Sequence, residues 1–198
     1  MKLTGNGKIR FITSAVVPEQ YPVNPDALPE IGVIGRSNAG KSSLINAMFG
    51  TRIAKVSGTP GKTTLLNFFE VRKGYYLVDM PGYGFAARSR KEVDSWKSMI
   101  ETYISLRGNL KGLLLIMDCR RNWTEEEAML VEWIYSSNTD VILVLTKEDK
   151  LGKNKAMNAK FKIQKASGIE KTFTVSSSKK KGVVELEEFM YNAWVEQK

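Results

Sequence analysis

Ile31-Gly32-Val33-Ile34-Gly35-Arg36-Ser37-Asn38-Ala39-Gly40-Lys41-Ser42 is the stretch from which the rest of the chain can be read. Ile31–Ile34 is a short apolar strand running into glycine, and residues 35–42 fit G-x-x-x-x-G-K-[ST] without a mismatch. Behind it, Lys41–Phe49 places Leu44, Ile45, Met48 and Phe49 on one helical face. Glycines let backbone N–H groups close around a phosphate chain, and the helix aims its positive dipole end at the same charge. In that geometry Lys41 neutralises the β and γ phosphates, the Ser42 hydroxyl ligates Mg²⁺, and Gly35, Arg36, Ser37, Asn38, Ala39 and Gly40 form the cradle. Chance produces the pattern in roughly one chain per hundred of this size. The strand before it and the helix after it make chance rarer still.

Outward from this loop, strands and helices alternate. Lys8–Val17 reads as an edge strand, and Pro18 to Pro29 is a turn-rich link with four prolines. Residues 1–29 are therefore an N-terminal strand and link, and 30–198 the core of one expected domain. Thr51–Leu65 is polar and without periodicity, a mobile loop by composition. Leu66–Arg72 and Tyr75–Asp79 form a hairpin around Lys73-Gly74. A second loop near 80–90 precedes a helix through Trp96, Met99, Ile100 and Tyr103, and Gly112–Asp118 is an apolar run of buried-strand length. Thr124 with Glu127 makes a capping-box start for a helix ending near Ser137. Val141–Leu145 is another buried strand, followed by a basic helix over about 154–166 and a strand near Thr172–Val175. The last helix, about Val183–Val195, is predicted to turn Leu186, Phe189, Met190, Ala193 and Trp194 inward. Continuously apolar strands between helices predict an α/β fold: a mainly parallel sheet in a three-layer α/β/α sandwich.

Composition narrows the chemistry. The chain has 198 residues, 42% of them apolar, enough for one well-packed domain. It contains no histidine, which excludes His-based triads, His general bases and imidazole zinc sites. The single cysteine, Cys119, excludes an intramolecular disulfide framework; it reads as a small buried residue at a strand end and fits a reducing cytosol. A net charge of +9 favours a polyanionic partner. No N-terminal apolar run resembles a signal peptide, and no stretch approaches the roughly 18 apolar residues of a membrane span. A cytoplasmic location without membrane attachment is expected.

Two further segments select the nucleotide. Asp79-Met80-Pro81-Gly82 closes the hairpin's second strand; an aspartate there holds Mg²⁺ through water, and the Gly82 N–H meets a γ-phosphate. Thr146-Lys147-Glu148-Asp149 follows an apolar strand. The Asp149 carboxylate suits two adjacent donors, guanine N1–H and its 2-amino group, a pair that adenine lacks. Lys147 would lay its stem along the base, and Thr146 stands where N-K-x-D has asparagine. Val175-Ser176-Ser177 ends the last strand, where backbone N–H groups would meet guanine O6 and side-chain identity is a loose constraint.

The ordered set 35–42, Pro60-Gly61-Lys62-Thr63, 79–82, 146–149 and 175–177 resembles the Era-like, translation-factor-related GTPases. It is most similar to the EngB/YihA/YsxC family of bacterial ribosome-biogenesis GTPases, through Gly35-Arg36-Ser37-Asn38-x-Gly40-Lys41-Ser42, Pro60-Gly61-Lys62-Thr63-x-x-Leu66-Asn67-Phe68 and Asp79-x-Pro81-Gly82-Tyr83-Gly84-Phe85-Ala86. Trp96 with Met99-Ile100-Glu101-Thr102-Tyr103 extends the likeness over almost the whole chain. The resemblance implies a Ras-like P-loop GTPase that binds GTP and GDP with Mg²⁺ and hydrolyses GTP slowly. It implies a role in large ribosomal subunit assembly, through rRNA and ribosomal proteins, and a requirement in division and septation; a monomer is expected. It places Mg²⁺ on Ser42 and Thr63, and nucleotide contacts also on Gly61, Lys62, Thr63, Thr64 and Leu65. Thr64 and Leu65 depart from the family's small polar residues, as do the extra serine and lysine run after Val175.

Catalysis is expected to rest on Lys41, Thr63, Gly82 and Asn38. Thr63 reaches Mg²⁺ only while a γ-phosphate holds its loop, which makes that loop a switch. Tyr83 occupies the place after Asp-x-x-Gly where Ras-like proteins keep a water-orienting glutamine, so turnover should be slow. Asn38 offers a ligand for K⁺ beside the phosphates, or is simply a polar turn residue. Seven lysines lie between Lys147 and Lys165 against two acids, and Lys171, Lys179, Lys180 and Lys181 follow, a pattern suited to rRNA. Two alternatives stay open: a metabolic P-loop kinase, and a non-hydrolysing RNA-binding module that uses GTP structurally.

Overall fold

The computed structural model describes residues 9–54, 65–72, 74–84 and 90–196. Seven strands form one sheet in the order β1-β3-β4-β2-β5-β6-β7. They are β1 (Ile9–Ala15), β2 (Glu30–Gly35), β3 (Leu66–Val71), β4 (Tyr75–Asp79), β5 (Leu110–Asp118), β6 (Asp140–Thr146) and β7 (Thr172–Thr174). The five from β4 to β7 in that order run parallel. β3 is antiparallel to β4 because only the short turn after Val71 joins them, whereas a parallel pair needs a long crossover. β1 pairs antiparallel with β3 and forms the expected edge.

The helices are α1 (Lys41–Phe49), α2 (Arg90–Leu106), α3 (Glu125–Ser136), α4 (Lys153–Ser167) and α5 (Val183–Trp194). Two apolar clusters fill the two faces of the sheet. Met99, Ile100 and Tyr103 of α2, Val131 and Ile134 of α3 and Ile163 of α4 pack on one side. Leu44, Ile45 and Met48 of α1 and Leu186, Met190 and Trp194 of α5 pack on the other. This is the expected three-layer arrangement. Every residue of β2 is buried, as a central parallel strand covered on both faces requires.

One inward residue of the last helix was misplaced by its sequence pattern. The buried stripe of α5 is Val183, Leu186, Glu187, Met190 and Trp194, spaced three or four apart, and Phe189 falls beside it. Phe189 is 37% exposed and rests on Phe173, with ring centroids 5.1 Å apart. Cys119 is buried immediately after β5, and burial beside Asp118 pushes its thiol up to about 11. No helix among the described residues is long and apolar enough to cross a membrane.

The strand order reverses direction at β2: the chain leaves it toward β3 and β4 on one side, then returns to β5 on the other. In open parallel sheets ligands bind at the carboxyl ends of strands at such a switch point. The ends of β2, β4, β5 and β6 are Gly35, Asp79, Asp118 and Thr146, and all but Asp118 were singled out by sequence.

Candidate functional site

The loop between β2 and α1 is held in an open bend by two left-handed residues. Gly40 caps α1 at φ 99°, where a side chain would be strained, and Asn38 sits at φ 63°, a region that asparagine tolerates better than most residues. Ser37 N–H donates to Tyr83 O at 3.0 Å, and Tyr83 N–H to Gly35 O at 3.3 Å, so the loop is laced to the segment after Gly82. A side chain on Gly82 would come within 3.1 Å of Gly35 O, so any Cβ here would have to push the two backbones a few tenths of an ångström apart. Met80 is fully buried, and its N–H donates to Val33 O at 3.0 Å, anchoring Pro81 and Gly82 beside the loop.

Lys41, at the first turn of α1, forms an ion pair with the buried Asp79 at the end of β4. Ser42 follows on the same helical turn and is half-buried. A cation, a carboxylate and a hydroxyl thus converge at the helix's positive end, a donor set suited to phosphate oxygens and a hydrated cation. Among the described residues no three His, Cys, Asp or Glu cluster as a metal cage. Gly61, Lys62, Thr63 and Thr64, with Pro60, Phe85 and Ala86, lie outside the described residues; Leu65 is half-buried just before β3. The loop start is anchored: Asn46 of α1 exchanges two hydrogen bonds of 2.9 Å with the backbone of Ala54.

The segment after β6 lies against the glycine loop. The Thr146 hydroxyl hydrogen-bonds Ala39 O and reaches Met117 O at 3.2 Å. Lys147, itself left-handed at φ 60°, donates from Nζ to Asn38 O at 2.6 Å and pairs with Asp118 at 3.0 Å. Asp118, which the sequence reading did not single out, holds Lys147 in this arrangement. Its one signal was a charged residue closing an apolar run. Burial alone would raise its pKa. Hydrogen bonds from the Arg120 side chain and N–H and from Lys147 outweigh burial and hold the carboxyl well below the usual carboxylate range.

Asp149 is fixed by the loop after β7. Ser176 Oγ donates to its Oδ1 at 2.7 Å, and that bond, opposed by burial, lowers its pKa. Ser176 N–H donates to Lys181 O at 3.0 Å, Glu148 pairs with Lys181, and Glu148 N–H reaches Val175 O at 3.3 Å. At Ser176, therefore, the side chain holds Asp149 and the N–H is engaged by Lys181 O. Val175 is fully buried and Ser177 half-buried.

Tyr83 and Arg36 both reach α3. Tyr83 is 5% exposed and its hydroxyl donates to Glu127 Oε1 at 3.3 Å; burial and the Glu127 charge raise its pKa. Arg36 pairs with Glu126 at 3.2 Å and lies 3.8 Å from Glu127. Glu127, read from sequence only as a capping residue, caps α3 through Thr124 N–H at 3.1 Å and also ties α3 to both segments.

A glycine loop opening a helix at the switch point of a parallel sheet, with Asp79 at the end of β4 and Asp149 just past the end of β6, defines a P-loop GTPase domain of the Ras-like fold. A family described as 50S ribosome-binding GTPase matches residues 30–147. The chain is 50% identical to the probable GTP-binding protein EngB of Bdellovibrio bacteriovorus, over 96% of this chain and 94% of that one. It is 45% identical to the probable GTP-binding protein EngB of Clostridium perfringens, over 94% and 96%. The chain belongs to the EngB family of GTP-binding proteins. Its fold matches the crystal structure of a probable GTP-binding protein engB, with a TM-score of 0.71 at 19% identity, covering 85% of this chain and 100% of that one. It also matches Era in complex with MgGDPNP and nucleotides of 16S ribosomal RNA, with a TM-score of 0.65 at 22% identity, covering 86% and 58%.

Proposed function

We propose that this chain is a single cytoplasmic GTPase domain, a monomer, that binds GTP and GDP with Mg²⁺, hydrolyses GTP slowly, and serves as a nucleotide-gated factor in large ribosomal subunit assembly. The carrying observation is the convergence of the 35–42 loop, Asp79 and Thr146–Asp149 at the carboxyl end of the sheet. Family membership leaves the kinase alternative without support. Within the cradle, the N–H groups at the start of α1 and the Lys41 ammonium meet the phosphates, and Asp149 accepts from guanine. Ser42, Thr63 and, through water, Asp79 would hold Mg²⁺, which supplies charge neutralisation at the phosphates when bound. Tyr83, its hydroxyl on Glu127, is in no position to orient water as a glutamine would, which supports slow turnover.

The ribosomal part is supported by the family description and by charge. Lys153, Lys155, Lys162 and Lys165 of α4 and Lys179 to Lys181 are exposed. A requirement in division and septation would follow from failed subunit assembly. Co-sedimentation with separated ribosomal subunits tests the reading. Association with large subunits should be stronger with a non-hydrolysable GTP analogue than with GDP and weaken steeply with salt, since each phosphate contact releases counterions. Equal binding of both forms at every salt concentration would end the gating assignment. Single-turnover hydrolysis on subunits separates the enzyme from a non-hydrolysing RNA-binding module.

Asn38 and K⁺ belong to the same proposal. With no glutamine after Gly82, charge developing between the β and γ phosphates needs another cation, and K⁺ beside Asn38 would stabilise it. Replacing K⁺ by Na⁺ at matched ionic strength should lower kcat about tenfold, or ~1.4 kcal/mol, with GTP affinity unchanged. Asn38→Gly is the informative variant. It keeps the left-handed backbone, whereas alanine there adds about 1–2 kcal/mol of strain. Loss of the K⁺ preference in Asn38→Gly is expected; equal rates in both salts in the unmutated protein make Asn38 a turn residue only.

A further inference from the structure

Between α2 and α3 lies an open groove of about 350 Å³ that the nucleotide reading leaves unused. Tyr83, Val93, Trp96, Met129, Leu130 and Trp133 line it. Met129 is 66% exposed, and Val93, Trp96, Leu130 and Trp133 are half-buried. Single exposed apolar residues are ordinary, but two tryptophans, a methionine and a leucine around one concavity mark an interaction surface. Two of its lining rings are held by hydrogen bonds. Trp96 Nε1 donates to Pro81 O at 2.9 Å, the Trp96 ring lies 6.2 Å from that of Tyr83, and Tyr83 is held by Glu127.

Charge decides what fits. The chain carries +9 overall, yet α3 has four glutamates and no lysine or arginine. Glu125, Glu126 and Glu132 are exposed along it, and Glu101 of α2 is exposed on the facing wall. Lys97 and Arg36, the latter paired with Glu126, offset part of this charge. An apolar groove between two helices whose exposed acids outnumber their exposed bases disfavours a phosphate backbone, which argues against RNA. A second copy docking by two-fold symmetry would set these acids against each other. We propose that the α2–α3 groove docks a basic amphipathic helix of a protein partner, its apolar face against Trp96, Met129 and Trp133 and its lysines or arginines against Glu101, Glu125 and Glu132. The surface stands whether or not the ribosomal assignment holds.

A fluorescein-labelled peptide of about 18 residues, with leucines at i, i+3, i+4 and i+7 and lysines elsewhere, is the probe. Anisotropy with the full chain should show saturable binding, and the same peptide with glutamates in place of lysines should bind at least about tenfold more weakly. Met129→Lys and Glu101→Lys alter exposed side chains, so both variants should fold; each should weaken the basic peptide about tenfold or more and leave GDP affinity unchanged. The proposal is overturned if the basic peptide does not bind, if the variants bind it as well as the unmutated protein, or if the acidic peptide binds equally. Crosslinking of single-stranded RNA to the groove residues would assign the groove to nucleic acid. A concentration-dependent dimer in sedimentation, abolished by Met129→Lys, would assign it to a second copy; either result overturns the proposal.

Discussion

Asp149→Asn should weaken GTP binding by about 2–4 kcal/mol and give the protein affinity for xanthosine triphosphate. Two guanine donors facing a carboxylate are charge-assisted; facing an amide, one of them meets an N–H₂ group instead. The geometry fixes which atom changes. Ser176 Oγ already donates to Oδ1 at 2.7 Å, and an asparagine oxygen can keep accepting that bond, which leaves Nδ2 turned to the base. Xanthine carries a carbonyl where guanine has its 2-amino group, so the same Nδ2 gains an acceptor. Ser176→Ala should cost less, about 1 kcal/mol in GTP affinity, because it loosens Asp149 without changing its chemistry. Titration calorimetry with GTP, ATP and xanthosine triphosphate measures all three. Equal ATP and GTP affinity in the unmutated protein would remove Asp149 from the base site.

What could be read ahead of the structure was whatever is contiguous in the chain. Gly35–Ser42 declares itself because its glycines, Lys41 and Ser42 occupy one eight-residue window between an apolar strand and an amphipathic helix. The alternation of apolar runs with helical periodicity likewise revealed the sheet, and the short link after Val71 its antiparallel hairpin. Contacts between distant residues left no such trace. Lys147 Nζ lies on Asn38 O and Thr146 Oγ on Ala39 O, each across more than a hundred residues. These bonds make the segment after β6 a brace for the 35–42 loop. Asp118 and Glu127 were hidden for a related reason: a buried carboxylate is recognisable only when its cations are seen, and Arg120, Lys147, Arg36 and the Tyr83 hydroxyl come from four different segments. Phe189 was misread because hydrophobicity alone does not say which of two adjacent apolar residues faces inward.

Arg107→Ala should destabilise the fold by about 3–5 kcal/mol, the largest effect expected of any single change outside the site. Glu30 opens β2 with no solvent exposure, although the apolar run that betrayed this strand starts only at Ile31. The Arg107 guanidinium pairs with its Oε1 and donates from Nε to Oε2 at 3.1 Å, while Tyr103 Oη donates to Oε2 at 2.7 Å. The same guanidinium lies 5.7 Å from the Tyr21 ring and 5.9 Å from the Phe68 ring, so it also clamps the proline-rich link onto the sheet. Removing it leaves a buried carboxylate with one neutral donor. Tyr103 stays a neutral donor, because burial and the Glu30 charge raise its pKa. Urea titration should therefore show a lower midpoint with an unchanged slope. The double variant Glu30→Gln, Arg107→Met should recover most of the loss, since a charge-free pair of similar volume carries no desolvation penalty. If Arg107→Ala costs less than about 1 kcal/mol, Glu30 is solvated or neutral in solution, and the clamp at the start of β2 does not hold the strand that delivers Gly35 to the phosphate loop.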